Sequence, residues 1–133
     1  MIKVLQGIDI VECAVLKERL DRYGERFLVR VFTKAEREYC SSKKNSLQHF
    51  AGRLASKEAV LKMLGTGWTM GATWTDIEVL NNSSGCPSVK LSGRCGQLAE
   101  QLELKNICIS ISHTPSYAVA TAVGLASIVP HNQ

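Results

Sequence analysis

The chain has 133 residues, 45% of them hydrophobic, so we expect residues 1–133 to form one domain with a core of its own. Its 16 basic and 12 acidic side chains give a formal net charge of +4, which favours anionic ligands or an acidic partner but is too small for a typical nucleic-acid-binding domain. Aromatic residues make up only 6%, which further argues against binding single-stranded nucleic acid by stacking.

The cysteines and the N-terminal segment indicate a compartment. The five cysteines are an odd number without a C-x-x-C pair, so we expect reduced thiols rather than a disulfide framework or a structural zinc site. The opening MIKVLQGID reaches an acidic residue too early for a secretory signal, and no apolar run approaches the roughly 18 residues of a membrane span. We therefore expect a soluble, cytoplasmic protein that does not bind a membrane.

The first predicted element is a strand over residues 2–11, which alternates and is rich in β-branched side chains. Asp9 lies between Ile8 and Ile10, so in a strand its side chain points away from both isoleucines. A carboxylate in an apolar strand needs a partner, because burying an unpaired charge is unfavourable. The strand alone leaves two interpretations open: a salt bridge or helix cap, and a ligand for a hard cation.

Three short helical segments follow, over residues 12–22, 26–32 and 33–40. Gly24 ends the first, and T-K-A-E at 33–36 has capping-box spacing for the third. Across residues 17–30 basic side chains outnumber acidic ones. Such a run is more often a solvated face, and its alternative is a docking site for an acidic protein. The basic residues are Lys17, Arg19, Arg22, Arg26 and Arg30.

The longest predicted helix covers residues 46–67, with Ser46 as its N-cap and Gly65 and Gly67 at its C-terminal end. At 100° per residue its side chains form an apolar stripe, an alanine side and two charged edges. The edges are either solvated rims of a core helix or two ligand-binding strips too far apart for one small anion. They consist of Arg53 with Lys57, and of Glu58 with Lys62.

The C-terminal half begins with a glycine-rich connector over residues 65–72, which lacks both common nucleotide-loop motifs. The later predicted elements are strands at 73–80, 88–91, 107–113 and 117–123, a helix at 94–104 and a loose tail from 127. We expect Ser110 and Ser112, with the alanines of the last strand, to offer a shallow surface to the alanine side of the long helix. His113 closes its strand beside a turn, where it either bonds a turn carbonyl or belongs to a site.

Three segments together resemble the holo-[acyl-carrier-protein] synthase family, the short bacterial 4′-phosphopantetheinyl transferases. They are G-I-D-I-V-E at 7–12, F-A-G-R-L-A-S-K-E-A-V-L-K at 50–62 and I-S-I-S-H-T at 109–114. The resemblance covers nearly the whole chain, whose length favours the short members over the longer two-lobed relatives. It implies an α+β fold with an antiparallel sheet packed on a long central helix, assembled as a homotrimer with sites at the subunit interfaces.

The resemblance also implies a reaction. Members of the family move the 4′-phosphopantetheine of coenzyme A onto a serine of apo acyl carrier protein, release adenosine 3′,5′-bisphosphate and so support fatty acid biosynthesis. Asp9 and Glu58 match the carboxylates that hold Mg²⁺. Glu58 is also the candidate for the base that takes the serine proton. Lys62 resembles the lysine that stabilises charge on the pyrophosphate.

Further residues match contacts of the family with its substrates. Arg53 and His113 fit the 3′-phosphate of coenzyme A, and Lys57 and Gly65 would line the coenzyme. Val15 stands where many members have an arginine that docks the carrier. The docking residues implied for this chain are Arg26 and Arg30, which align well, together with Lys17, Arg19 and Arg22.

Two other functions stay open. One is a non-catalytic trimeric module that binds acidic proteins through residues 17–30. The other is a different magnesium-dependent nucleotide hydrolase, which the missing phosphate loop disfavours.

Overall fold

One long helix runs through the centre of the structure, a computed structural model that describes residues 1–65, 67 and 71–127. The predicted α+β fold, with strands around this helix, is confirmed. The elements in chain order are β1 (Ile2–Glu12), α1 (Cys13–Tyr23), α2 (Glu25–Val31), α3 (Lys34–Ser41), α4 (Ser46–Leu64), a 3₁₀ helix (Trp74–Asp76), β2 (Ile77–Asn81), β3 (Pro87–Leu91), α5 (Gly93–Gln101), β4 (Leu104–His113) and β5 (Tyr117–Ser127).

The sheet that packs on α4 has the antiparallel order β1–β5–β4, and β2 and β3 form a separate hairpin. Its register places Asp9 of β1 and Ile111 of β4 on either side of Ala120 in the middle strand. Ala120 is buried in one cluster with Ala55 and Ala59 of α4. The small side chains on both surfaces let the helix lie close to the sheet.

Gly7 marks the closest approach of β1 to α4. A Cβ atom at this position would overlap the carbonyl oxygen of Ala59 and lie 2.7 Å from the backbone nitrogen of Met63. Only glycine fits, because these atoms belong to the helix backbone. Asp9, two residues further along the same face, is therefore held beside the helix.

The long helix is correctly predicted, but its start and its surroundings differ from the prediction. Asn45, not Ser46, is the N-cap, and Gly65 ends the helix in the left-handed conformation with φ 78°. Arg53 is 4% exposed and Lys57 is fully buried, so the interpretation of their edge as a solvated rim is wrong. The reason is tertiary: α3 and β2 pack against this helix.

The face predicted for the helix-packing surface of β4 is also wrong. Ser110 and Ser112 are exposed, whereas Ile109 and Ile111 face the helix. The register explains the difference, because the isoleucines pair with the buried alanines of β5, and residues paired across a sheet share a face. The alanine part of the predicted surface is confirmed, since Ala118, Ala120 and Ala122 are all buried.

Two element boundaries shift for local reasons. The first part of the predicted strand 73–80 is the 3₁₀ helix, because Thr73 and Asp76 close a capping box there. The predicted helix 94–104 ends at Gln101, since Glu103 turns the chain with φ 48°.

The five cysteines are all free in this structure. Within the ranges that the structure describes, no helix has the length and apolarity to cross a bilayer. Most of the predicted tail, residues 128–133, and positions 66 and 68–70 of the connector lie outside the described residues.

Candidate active site

A cavity of about 330 Å³ opens where β1 runs into α1, beside the middle of α4. Asp9 from the strand and Glu58 from the helix both line it, and Leu54 and Trp74 form part of its wall. The fold therefore brings together the two acids that the resemblance pairs. Gly7 lets the strand pack closely against the helix, and this close packing brings the two acids to the same cavity.

Lys62 lies beside Asp9. Its ammonium donates hydrogen bonds to the Asp9 carboxylate and to the carbonyl oxygen of Ile8, both at 3.0 Å. The Asp9 side chain is 18% exposed and the Lys62 side chain 55% exposed. A largely exposed ammonium thus stands next to a carboxylate within reach of solvent, an arrangement that suits the binding of a phosphate group.

The two acids fit a magnesium ion that arrives with a phosphate. Carboxylate oxygens are its preferred ligands, and Mg²⁺ usually takes one or two carboxylates and completes its shell with water and substrate phosphate. In the described ranges no group of three or more His, Cys, Asp or Glu side chains could hold a metal. An ion between Asp9 and Glu58 would therefore depend on other oxygen ligands, as this chemistry allows.

Lys57 lies in the core, away from the cavity that the acids line. Its ammonium pairs with the Glu36 carboxylate at 2.7 Å, and both side chains are 0% exposed. It also donates to the carbonyl oxygens of Trp74, at 3.1 Å, and Ile77. Burial lowers the pKa of Lys57, and the carboxylate of Glu36 acts in the opposite direction. In this conformation the Lys57 ammonium bonds buried groups of the protein, and its contact with coenzyme A stays a prediction of the resemblance.

Arg53 and His113 meet through an aromatic cluster outside the cavity. The Arg53 guanidinium lies 4.1 Å from the centre of the Tyr39 ring, and its Nε atom is buried without a hydrogen-bond partner in the protein. His49 packs edge-on against both Tyr39 and His113, at 5.8 and 5.3 Å between ring centres. The Lys43 ammonium lies 4.8 Å from the Tyr39 ring centre. The structure therefore gathers several cationic or protonatable side chains around one aromatic ring, and we call this group the Tyr39 cluster.

Polar contacts orient two members of this cluster. Nδ1 of His113 lies 2.8 Å from Oε1 of Gln48, and Arg53 donates to the side-chain oxygen of Asn81. Burial lowers the pKa of His49, and the charges of His113, Arg53 and Lys43 lower it further. Sequence reasoning missed Tyr39, Lys43 and His49, because none of them belongs to a motif and only the packing of α3 on α4 assembles them.

A groove of about 830 Å³ between α1 and α2 carries four of the five predicted docking residues. Lys17 does not line it, because its ammonium pairs with Asp21 at 2.7 Å on the exposed side of α1. Val15 and Arg19 line both the groove and the cavity, so the two adjoin. The residues that line the groove are Val15, Glu18, Arg19, Arg22, Tyr23, Arg26, Phe27 and Arg30.

Gly65 lies at the end of α4, on the exposed surface. Its backbone N–H donates to the carbonyl oxygen of Lys62 at 3.1 Å, and its left-handed conformation ends the helix. It thus stays close to Lys62 in the chain without a side chain to block a ligand.

The sequence model of the 4′-phosphopantetheinyl transferase superfamily matches residues 6–122, and the chain belongs to this superfamily. Within it, the chain is similar to the holo-[acyl-carrier-protein] synthase of Koribacter versatilis, at 44% identity over 88% of this chain and 94% of the relative. It is 47% identical to that of Protochlamydia amoebophila over 88% of this chain and 93% of the relative.

A solved structure agrees with these sequence relatives. A holo-(acyl-carrier-protein) synthase from Bacillus anthracis, in complex with CoA (3′,5′-ADP), is similar to this chain with a TM-score of 0.77 and 32% identity. The match covers 96% of this chain and 100% of that one. The family and the fold predicted from the three sequence segments are therefore confirmed.

Proposed function

We propose that the chain transfers the 4′-phosphopantetheine of coenzyme A to a serine hydroxyl of an apo acyl carrier protein. The products are the holo carrier and adenosine 3′,5′-bisphosphate, and the reaction supports fatty acid biosynthesis. The convergence of Asp9, Glu58 and Lys62 beside an arginine-lined groove carries this proposal. The names of the sequence relatives and the coenzyme in the Bacillus anthracis structure support it.

Two side chains perform the central steps. The Glu58 carboxylate, on the cavity wall, takes the proton of the serine hydroxyl as that oxygen attacks the phosphorus atom. Lys62 turns from Asp9 to the pyrophosphate and stabilises the negative charge that develops on the departing bisphosphate. Leu54 and Trp74 limit the access of water to the reacting atoms.

Asp9 and Glu58 are also the proposed ligands of Mg²⁺. When bound, the ion would neutralise charge on the pyrophosphate and orient it. The oxygen donors that the two acids contribute to one cavity support this assignment.

The Tyr39 cluster is the proposed contact for the adenosine end of coenzyme A. Arg53 and His113 would meet the 3′-phosphate there, and Lys43 adds a cation that the sequence did not predict. Coenzyme A is long, so one molecule can serve the cavity and a separate basic surface, in one subunit or across two. Gly65 remains a proposed backbone contact near Lys62.

The groove between α1 and α2 is the proposed docking site for the carrier. It presents four arginines and one glutamate, so its field attracts an acidic protein. Because Val15 and Arg19 border the cavity as well, a carrier bound there would place a serine close to Glu58.

We further propose a homotrimer with interfacial sites. The face of the sheet opposite α4 is rich in exposed apolar side chains, and Ile8 and Ile10 are each 60% exposed. An apolar surface of this kind favours burial against other copies of the chain. The other large side chains on this face include Ile2, Val4, Tyr117, Val123 and Leu125. We place the enzyme in the cytoplasm, where its five free thiols would stay reduced.

Incubation with coenzyme A, magnesium and an apo carrier tests the reaction. Mass spectrometry should show the carrier heavier by one phosphopantetheine, with one bisphosphate released per transfer. No mass increase with any of several bacterial carriers would contradict the proposal. A binding module would hold carriers equally well without magnesium or coenzyme, and a hydrolase would release bisphosphate without a carrier.

A further inference from the structure

We propose that the buried ion pair between Glu36 and Lys57 positions the active site by fixing Trp74, which forms part of the cavity wall beside Glu58. Lys57 and Glu36 are then positioning residues, since neither lines the cavity that contains the acids. The inference concerns how this chain orders its site and goes beyond the proposed reaction. It rests on the proposed function only for its kinetic measurements.

Lys57 connects the central helix to the segment that contains the wall. Its three N–H donors have three acceptors: the Glu36 carboxylate and the carbonyl oxygens of Trp74 and Ile77. Trp74 begins the 3₁₀ helix, and Ile77 begins β2. Lys57 therefore holds both ends of this short segment from inside the protein.

Glu36 fixes the ammonium from the opposite side. One of its oxygens accepts from Lys57 and from the backbone N–H of Thr33, and the other accepts from the backbone N–H of Val79 at 3.0 Å. The pair thus joins the start of α3, strand β2 and helix α4 at one buried point. Because all these partners are buried or backbone groups, the ammonium has little freedom to move.

Lys57 and Glu58 are neighbours in α4, and this connects the buried ion pair to the active-site cavity. Lys57 points into the core and Glu58 lines the cavity, so consecutive residues of one helix hold the wall and supply the acid. The 3₁₀ helix has further anchors: the Asp76 carboxylate accepts from the backbone N–H and the hydroxyl of Thr73, which precedes Trp74, and from the Cys95 N–H. The ion pair adds to them a bond from the core side to the Trp74 carbonyl oxygen.

Stability alone is a weak reason for this arrangement. Burial of two charges is unfavourable, and well-packed apolar residues often replace such a pair without loss of stability. A precise geometric function accounts for the pair better, because a displacement of the wall by about 1 Å can lower a rate about a hundredfold.

The test compares Lys57→Met, Glu36→Gln and the double variant with Ile109→Ala. Ile109 lies on β4, in a core cluster other than the one that Trp74 packs against, so its truncation destabilises the fold without touching the wall. Assays at a temperature well below the melting point of every variant separate positioning from loss of fold. If Lys57→Met does not fold, the milder Glu36→Gln carries the test.

Two measurements decide the outcome. The value of kcat/KM for coenzyme A should fall about tenfold to a hundredfold in Lys57→Met, less in Glu36→Gln, and no further in the double variant. In a Trp68→Phe background, which leaves Trp74 as the one tryptophan, both variants should shift its emission and increase its quenching by acrylamide without coenzyme. Ile109→Ala should change neither quantity.

Three results would overturn the proposal. Unchanged Trp74 emission in both variants would show that the pair does not hold the wall. Equal kinetic losses in Ile109→Ala would reduce the pair to a stabilising role. Full coenzyme affinity in Glu36→Gln, with loss only in Lys57→Met, would mean that Lys57 contacts the coenzyme itself. If the wild type transfers nothing, the proposed reaction fails, but the fluorescence still tests this inference.

Discussion

Lys62 and Asp9 form an ion pair at 3.0 Å on the rim of the cavity, and the lysine keeps a second bond to the Ile8 carbonyl oxygen. Because the Lys62 side chain is 55% exposed, this pair contributes at most about 1 kcal/mol to stability. Lys62 can therefore leave Asp9 when a phosphate enters. Its partner in this structure, Asp9, is one of the two carboxylates proposed to hold the cation.

Removal of this ammonium should slow catalysis without weakening the fold. We expect Lys62→Ala to lower kcat by about 100-fold, since charge on the departing phosphate would lose a preorganised partner. Lys62→Arg should retain part of the rate. Steady-state kinetics and thermal unfolding measure the two effects. An unchanged kcat in Lys62→Ala would remove Lys62 from the mechanism.

Glu58 should matter through its charge. Glu58→Gln keeps the size of the side chain but abolishes the base and one proposed metal ligand, so we expect kcat to fall by roughly 10²–10⁴-fold. Titration calorimetry in the presence of coenzyme A should also show weaker magnesium binding. Glu100→Gln, on the exposed surface of α5, is the matched control and should behave as wild type. Equal activity of both variants would contradict the assignment.

The arginine groove should act on the carrier and not on coenzyme A. Two surface contacts worth about 0.7 kcal/mol each correspond to roughly tenfold in affinity, so Arg26→Ala with Arg30→Ala should raise the KM for the carrier about tenfold. The effect should shrink as salt increases. Lys34→Ala, whose side chain is exposed on α3, is the control, and Lys17→Ala should have a smaller effect than the arginines because Lys17 lies outside the groove. A higher KM for coenzyme A in the double arginine variant would show that the groove contributes to coenzyme binding, and this would contradict its assignment to the carrier.

The apolar outer face of the sheet should hold the trimer together. Sedimentation should give three copies for the wild type and fewer for Val4→Arg, because Val4 is 60% exposed on this face and a buried arginine without a partner is unfavourable. Val29→Arg, on α2, is the control, because Val29 is 52% exposed away from the sheet. A monomeric wild type, active at the same concentration, would exclude interfacial sites.

His49 should make stability depend on pH. Its pKa lies below the usual 6.5 in the folded chain, first because of burial and then because of the nearby cations. As the pH falls through 6.5, the unfolded chain takes up a proton that the folded chain excludes, so the free energy of unfolding decreases. Above this range both states are neutral at His49 and the contribution vanishes.

Urea unfolding of the wild type and of His49→Gln at about pH 7.5 and about pH 5.5 checks this expectation. The wild type should lose more stability than the variant between the two conditions. Equal losses would mean that the surroundings of His49 do not oppose its protonation.

The sequence predicted the positions that depend on local periodicity. Asp9 faces the helix and Ile8 faces away, because a strand alternates, and the capping box of Thr33 and Glu36 follows from their spacing. The end of α4 at Gly65 is equally local. These features need no knowledge of distant residues.

Burial that depends on packing between distant elements could not be predicted. Lys57 is charged and lies on a helix edge that periodicity alone marks as solvated, but α3 supplies Glu36, and the 3₁₀ helix and the start of β2 supply one carbonyl group each. The Tyr39 cluster likewise combines α3, α4 and the end of β4. The resemblance named Arg53 and His113, yet only the fold shows that aromatic rings join them.

Gly7 allows β1 to lie against α4 and so holds Asp9 beside the helix, and substitutions elsewhere in the chain cannot make room for a larger residue at position 7. The atoms that crowd it are the main-chain oxygen of Ala59 and the main-chain nitrogen of Met63, which every amino acid would carry at those places. Replacing the helix residues therefore creates no space. A random library with position 7 varied, even on a background strengthened elsewhere, should return active clones with glycine alone at that position.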